Sequence, residues 1–268
     1  MKIGILGKQS KIKNSDILTE IQAFLQAAGY ETAQFSSTKD IDGVDVVLVL
    51  GGDGAILHSA VQAAQKNVKI IGINYGNLGF LTEYEKTEKE RVLELLAALQ
   101  DGACRIVKRS LLQVEIGEKT YYALNEISVQ RDYSLYSALS TQMLQIQVQA
   151  KEGQDLISGD GLLICTPTGS TAYSLSAGGA ILTPEVPVFM MTPICAFSMR
   201  ARPIVFADTD EFVLKIAKGN AMILADGRAI AALPENGEVR VKKAPFTADF
   251  PTKENADFFA RVRNKLNG

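Results

Sequence analysis

The sequence predicts an α/β domain with a parallel sheet over residues 1–100, followed by a mainly antiparallel β domain over residues 101–253. Three observations carry this. Strand-like apolar runs alternate with helical stripes through the first hundred residues. After Arg105 the pattern changes to short segments that alternate apolar and polar residues, with turn pairs between them. The chain has 268 residues, 47% hydrophobic and 22% charged, which is ample for a large core.

The elements follow in order. Lys2–Leu6 reads as a strand. Asp16–Ala28 carries Ile17, Leu18, Ile21, Phe24 and Leu25 on one helical stripe, and Gly29 stops it. Tyr30–Phe35 and Val44–Leu50 read as strands, Ala55–Lys66 as a helix and Val68–Asn74 as a strand. Glu85–Gln100 is helical, with Val92, Leu95, Leu96 and Leu99 on one side and Asp101-Gly102 closing it. In the second part, Leu111–Ile116, Tyr121–Val129, Met143–Gln149, Phe212–Ala217, Ala221–Leu224 and Glu238–Lys243 read as strands. Gly117-Glu118 and Glu152-Gly153 supply turns. Glu254–Leu266 resumes helical spacing and is expected to pack back on the first domain.

The formal net charge is −2, so a nucleic-acid partner is not expected. Cys104, Cys165 and Cys195 form no C-x-x-C pair, which argues against a zinc site or disulfide framework and fits a reducing cytoplasm. Ile3–Leu6 is too short for a secretory leader, and no apolar run approaches the roughly 20 residues of a membrane helix. No membrane partner is expected.

The densest local signal is Val46-Val47-Leu48-Val49-Leu50-Gly51-Gly52-Asp53-Gly54. A strand buried on both faces ends in three glycines and a carboxylate. Ligands gather at the carboxyl ends of parallel strands. Gly51, Gly52 and Gly54 would let a phosphate approach backbone N–H groups, and Asp53 could bind Mg²⁺ or take a proton from a hydroxyl. On this motif alone a plain Asp-Gly turn is as good a reading.

Four further constellations follow. Gly72–Phe80 is a glycine- and asparagine-rich loop after a strand. Asn125-Glu126 sits in an apolar strand-like segment, so the two side chains would point to opposite faces. Ser158-Gly159-Asp160-Gly161 leads into Leu162–Cys165 and then Thr166-Pro167-Thr168-Gly169-Ser170-Thr171-Ala172-Tyr173-Ser174-Leu175-Ser176. This last run is expected to open a helix with Ser170 or Thr171 as cap, and its many hydroxyls favour a ligand site over a purely structural role. It lacks the Gly-Lys-Ser/Thr of a Walker loop. Asp226-Gly227 reads as a hairpin turn rather than a site. The single histidine, His58, lies five residues beyond Asp53, where a solvated helix residue is the default.

Taken together, the segments resemble the NAD kinase family, of the bacterial type. Gly51–Gly54 matches its Gly-Gly-Asp-Gly, Asn74–Leu81 its Asn-x-Gly-x-Leu-Gly-Phe-Leu loop, and Asn125-Glu126 its Asn-Glu pair. Gly159 to Tyr173 matches Gly-Asp-Gly before Thr-Pro-x-Gly-Ser-Thr-Ala-Tyr, followed by Arg202-Pro203 and Asp226-Gly227. Gly-Gly-Asp-Gly alone is shared with phosphofructokinases and with diacylglycerol and sphingosine kinases. The longer run with Asn-Glu is far more specific, and the match covers nearly the whole chain.

The resemblance implies a Rossmann-like, phosphofructokinase-like first domain. It implies transfer of the γ-phosphoryl group of ATP to the 2′-hydroxyl of the adenosine ribose of NAD, with Mg²⁺ or another divalent metal accompanying ATP. No metal site made by protein ligands is assigned. Asp53 would be catalytic, and Gly51, Gly52 and Gly54 would bind phosphate. Gly54, His58, Phe80, Asn125, Glu126, Ser158, Asp160, Thr168, Thr171, Ala172, Tyr173, Ser174, Ser176 and Arg228 would contact substrate, Tyr173 as a stacking face. A cytoplasmic homodimer or homotetramer is implied. The chain departs from the family pattern at Ala55 (usually Thr), Phe197 (often His), Ser158 (often basic) and Arg228 (often Gln). Two other readings stand beside it: a lipid kinase sharing Gly-Gly-Asp-Gly, and a non-catalytic NAD sensor that would release no ADP on binding.

Overall fold

The computed structural model describes residues 1–7, 16–75, 79–133, 143–252 and 258–266. The chain forms two compact units, Met1–Lys108 with Phe246–Gly268, and Arg109–Pro245.

The first unit contains β1 (Lys2–Gly7), α1 (Asp16–Ala27), β2 (Glu31–Phe35), β3 (Val46–Leu50), α2 (Asp53–Gln65), β4 (Lys69–Asn74), β5 (Tyr84–Glu85) and α3 (Lys89–Gln100). All five strands run parallel, in the order β2-β1-β3-β4-β5. Every residue of β3 is buried, as expected for a strand covered on both faces. Leu18, Ile21 and Leu25 of α1 and Val92, Leu95 and Leu96 of α3 join Ile3, Ile5, Leu48 and Ile73 in one core. The strand order reverses between β1 and β3, the switch point at which open α/β sheets place ligands. The carboxyl end of β3 delivers Gly51 and Gly52 to the start of α2.

Two boundaries differ from the sequence reading. Helix α2 begins at Asp53 rather than Ala55, so the aspartate belongs to the first helical turn. Glu85 pairs with Asn74 as the last residue of β5, and its N–H is taken by Glu88 Oε2 at 2.8 Å, which delays α3 to Lys89.

The second half of the chain forms two six-stranded sheets. One has the order β10 (Gly153–Gly159), β9 (Leu144–Ala150), β14 (Phe212–Lys218), β17 (Glu238–Thr252), β6 (Arg105–Ile116) and β7 (Lys119–Ala123). The other has the order β13 (Ile204–Ala207), β12 (Val188–Ile194), β11 (Gly161–Cys165), β8 (Glu126–Arg131), β15 (Ala221–Ala225) and β16 (Arg228–Leu233). The registered pairs in both are antiparallel. Leu112, Ile146, Leu214 and Val239 from the first sheet and Ile127, Ile164, Phe189 and Ile223 from the second form one buried cluster. Among the described residues, no helix is long and apolar enough to cross a membrane.

Several strands were not legible beforehand. Pro193 lies inside β12, and proline normally argues against a strand. Pro245 and Pro251 fall within β17, which therefore extends well beyond the predicted Glu238–Lys243. β16 is Ala-rich and β13 is four residues long. The predicted strand Tyr121–Val129 is two strands, β7 and β8, in different sheets. Of the predicted terminal helix, α5 covers Phe258–Leu266, and residues 254–257 lie outside the described residues.

Candidate active site

Asp53 is fixed by the loop that follows β4. Phe80 N–H donates to Asp53 Oδ2 at 2.7 Å and Leu81 N–H to Oδ1 at 2.9 Å. Two successive amides thus set the plane of the carboxylate. A Cβ added at Gly79 would lie 1.9 Å from Asp53 Oδ1, so only glycine lets the loop come this close. The first motif and the second therefore meet: Asp53 and Phe80 share hydrogen bonds across 27 positions. Gly76, Asn77 and Leu78 lie outside the described residues.

Around Asp53, Gly52 is the helix N-cap without a side-chain bond, and Gly51 N–H donates to Ile73 O at 3.0 Å. Ala55 packs over Gly51, where an added Cβ would meet Ala55 Cβ at 2.8 Å. Asn74 is buried and donates from Nδ2 to Glu85 Oε1 at 3.0 Å, tying β4 to β5. His58 lies on the exposed side of α2. Thr82, absent from the sequence reading, is buried with a hydroxyl that has no hydrogen-bond partner among the described residues. It too would contact a Cβ at Gly79, at 2.7 Å.

In the second unit, Asn125 and Glu126 stand where the chain leaves β7 in one sheet and enters β8 in the other. Glu126 is 6% exposed, yet its Oε2 has no hydrogen-bond partner among the described residues, and neither does Asn125 Oδ1. Buried polar atoms without partners are uncommon in native proteins, and ligand sites are one place where they occur. Burial, with the nearby Asp226 carboxylate second, pushes the Glu126 carboxyl up to about 7.

The Thr166–Ser176 run is joined directly to this pair. Thr166 N–H donates to Asn125 O at 2.9 Å, and Thr166 Oγ1 donates to Leu124 O at 2.6 Å. A Cβ at Gly169 would lie 2.1 Å from Asn125 O. The run forms a 3-10 turn over Thr168–Thr171 and the single turn α4 (Tyr173–Ser176), not the helix expected. Pro167 starts the turn with its fixed φ, so Ser170 and Thr171 lie inside it and neither is the cap. Ser170 instead accepts from Leu182 N–H at 2.9 Å. Thr168 Oγ1 accepts from the buried Arg109 at 3.3 Å. Ser174 is fully buried, its hydroxyl 3.0 Å from Thr192 Oγ1, so it braces the turn from within. Thr171 and Ala172 are half-buried, Tyr173 is 37% exposed, and Ser176 faces solvent.

Asp160 lies in the corner between β10 and β11. Its Oδ1 is 3.7 Å from Arg131 Nη1, and Arg131 stacks over the exposed Tyr133 ring at 4.8 Å from its centroid. Burial first, followed by the nearby charges of Cys195, Asp160, Glu126 and Tyr133, raises the Tyr173 hydroxyl above its usual range. Ser158 is half-buried in β10, and its carbonyl accepts from the N–H of exposed Phe197 at 2.8 Å. Arg228 is exposed beyond the hairpin.

Sequence reasoning missed Thr82, Arg109, Arg131, Tyr133 and the reach of Asp226. Asp226-Gly227 is the expected hairpin, with φ of +48° and +73°. Its carboxylate, however, accepts from the backbone of Leu124, Asn125 and Glu126, about a hundred residues away. No local pattern encodes such a contact. Among the described residues, no three His, Cys, Asp or Glu side chains gather to hold a metal. A cavity of about 490 Å³ lined by Val148, Met191, Ile204 and Phe206 contains none of the predicted site residues.

Comparison with known proteins gives a consistent result. Residues 6–103 match the family model for the ATP-NAD kinase N-terminal domain, and residues 125–252 that for the C-terminal domain. An NAD kinase of Carboxydothermus hydrogenoformans is 37% identical over 231 residues, covering 83% of this chain and 79% of that protein. One of Methanothermobacter thermautotrophicus is 33% identical over 282 residues, covering 99% and 96%. The crystal structure of an NAD kinase from Archaeoglobus fulgidus in complex with ATP superposes with TM-score 0.80 at 25% identity, covering 98% of this chain and 99% of that one. Yeast NADH kinase complexed with NADH shares the fold, with TM-score 0.86 at 22% identity, covering 100% of this chain and 87% of that one.

Proposed function

The chain belongs to the NAD kinase family, and from that premise we propose how its residues divide the work. The reaction moves the γ-phosphoryl group of ATP to the 2′-hydroxyl of the adenosine ribose of NAD, giving NADP. Phosphoryl transfer asks little covalent chemistry of a protein; it asks for in-line positioning and neutralised charge.

Asp53 is the general base. As the 2′-hydroxyl begins to bond phosphorus, its proton passes to the Asp53 carboxylate. The observation that carries this assignment is the pinning of that carboxylate by the Phe80 and Leu81 amides, which holds a base in one orientation at the glycine-flanked start of α2. The glycine-flanked start of α2 supports phosphate binding, because the first N–H groups of a helix favour anions. Mg²⁺ would arrive with ATP, held mainly by phosphate oxygens and water, and neutralise charge on the transferred group.

Asn125 and Glu126 hold the dinucleotide through Oδ1 and Oε2, two buried oxygens without partners among the described residues. Tyr173 stacks on a base, with Asp160, Thr171 and Ala172 around it. Thr168 and Ser174 act from beneath, as supports of the turn. A cytoplasmic location is supported by three free thiols. Self-association, as a dimer or tetramer, is supported by exposed Phe197, Met199, Ile204 and Val205 within one short stretch.

Incubation with Mg-ATP and NAD, read by a dehydrogenase strictly dependent on NADP, tests the function directly. The expected result is NADP formed one-for-one with ADP. ADP release without NADP, or neither product, would overturn it.

A further inference from the structure

We propose that Asp226 is a positioning residue for the nucleotide site: it clamps the backbone crossing Leu124–Glu126 so that Asn125 and Glu126 present their side chains to the acceptor dinucleotide. This rests on the reading of Asn125 and Glu126 as dinucleotide contacts, and deepens it.

The argument is a full account of one stretch of backbone. The chain passes from β7 to β8 in two residues and changes sheet as it does so, so Leu124 and Asn125 have no strand ladder to join. Buried N–H and C=O groups must still be paired. Asp226 Oδ2 accepts from Leu124 N–H at 2.8 Å, and Oδ1 accepts from Asn125 N–H at 2.8 Å and Glu126 N–H at 3.2 Å. Asp226 N–H returns a bond to Glu126 O at 2.9 Å. Thr166 takes the two remaining carbonyls, Leu124 O through its hydroxyl and Asn125 O through its N–H. Every backbone polar group of the crossing is therefore used. The polar atoms left over are in the side chains: Asn125 Oδ1 and Glu126 Oε2, both buried and without partners among the described residues.

A backbone with no unmet polar group, carrying side chains that keep theirs, is what a preorganised binding element requires. Only an acid fits the clamp. An asparagine at 226 would turn one NH₂ toward an N–H and lose at least one bond. The hairpin is suited to the task because Asp226 and Gly227 both lie at positive φ, the geometry that Asp-Gly turns adopt readily. This geometry aims the carboxylate back along the sheet rather than into solvent, and Asp226 is 7% exposed.

The test is steady-state kinetics of Asp226→Asn with NAD and ATP varied separately. The expected result is a rise in KM for NAD on the order of 10-fold, KM for ATP changed less than about two-fold, and a smaller effect on kcat, as for loss of binding geometry without loss of the base. In an Asn125→Ala background, Asp226→Asn should add much less, because both changes remove the same contact. Gly227→Ala provides a second, milder variant that strains the turn while keeping the carboxylate, and the same selective rise in KM for NAD is expected, by roughly two- to five-fold. If Asp226→Asn does not melt cooperatively, Gly227→Ala decides. Equal rises in KM for NAD and ATP, additive effects with Asn125→Ala, or an unchanged KM for NAD would each overturn the proposal. A failure of the function itself would appear earlier, as wild-type protein that makes no NADP.

Discussion

Gly79 and Asp53 are in direct contact: a methyl group on the former would overlap Oδ1 of the latter, at 1.9 Å. Thr82 Oγ1 would be crowded as well, at 2.7 Å. Gly79→Ala should therefore displace the carboxylate from the Phe80 and Leu81 amides. Overpacking of this kind costs about 1–3 kcal/mol of stability, which the chain should survive. The expected outcome is a folded protein with a melting temperature a few degrees lower and a kcat reduced by at least roughly 10-fold, since small misplacements of a reacting group are costly. Unchanged kcat in Gly79→Ala would mean that the position of Asp53 does not limit the chemistry.

Asp53→Asn separates charge from shape. The amide keeps the size of the side chain and can still accept one backbone bond, but it cannot take a proton. Positioned general bases contribute about 10²–10⁴-fold, and a fall in kcat of that order is expected, with KM for NAD changing much less. Near-wild-type turnover would remove Asp53 from the catalytic role.

The parallel half of the fold was legible because its signals are local. β3 is five apolar residues ended by glycine, and α1 and α3 carry their buried stripes at helical spacing. The antiparallel half was legible in kind but not in detail. Prolines inside β12 and β17 mask strands that long-range pairing stabilises anyway. The change of sheet at Leu124-Asn125 has no sequence signature. It depends on an acid a hundred residues away taking over the lost backbone bonds. In the site, Asp53 stood out as a carboxylate at the end of an apolar run, and Asn125 and Glu126 as a polar pair inside an apolar strand-like segment. Arg131 and Tyr133 did not, because an arginine at a strand end and an exposed tyrosine are ordinary in sequence.

Glu126 makes the chain sensitive to pH near neutrality. Its carboxyl is raised to about 7 by burial first and by Asp226 second. A ribose hydroxyl donates more strongly to the ionised carboxylate than to the neutral acid. KM for NAD should therefore rise as pH falls through 7, and Glu126→Gln should abolish that limb. Stability runs the other way. The unfolded carboxyl titrates near 4.5, so between pH 4.5 and 7 the unfolded state holds fewer protons than the folded one. Stability is lost as pH rises through that window, by on the order of 3 kcal/mol. Denaturant titrations at pH 5 and 8 should show this loss in wild type and a smaller one in Glu126→Gln. An equal loss in both proteins would assign the effect to another group.

Acceptor choice distinguishes this chain from other enzymes that share Gly-Gly-Asp-Gly. Asn125 Oδ1 and Glu126 Oε2 are buried oxygens without a hydrogen-bond partner among the described residues. A nucleoside supplies donors to them from ribose hydroxyls and an amino group, whereas an acyl chain would leave both unpaired at the full cost of their burial. Sites of this kind reject the wrong substrate by roughly 10⁴-fold or more in favourable cases. Phosphorylation of NAD, and none of diacylglycerol, sphingosine or fructose phosphate, is expected under matched conditions. Truncation sharpens the point. Glu126→Ala should raise KM for NAD more than KM for ATP, because the carboxylate it removes is assigned to the acceptor dinucleotide and not to the donor. Efficient phosphorylation of a lipid with NAD inert would refute the acceptor assignment and leave the role of Asp53 standing, since the base acts on whichever hydroxyl is brought to it.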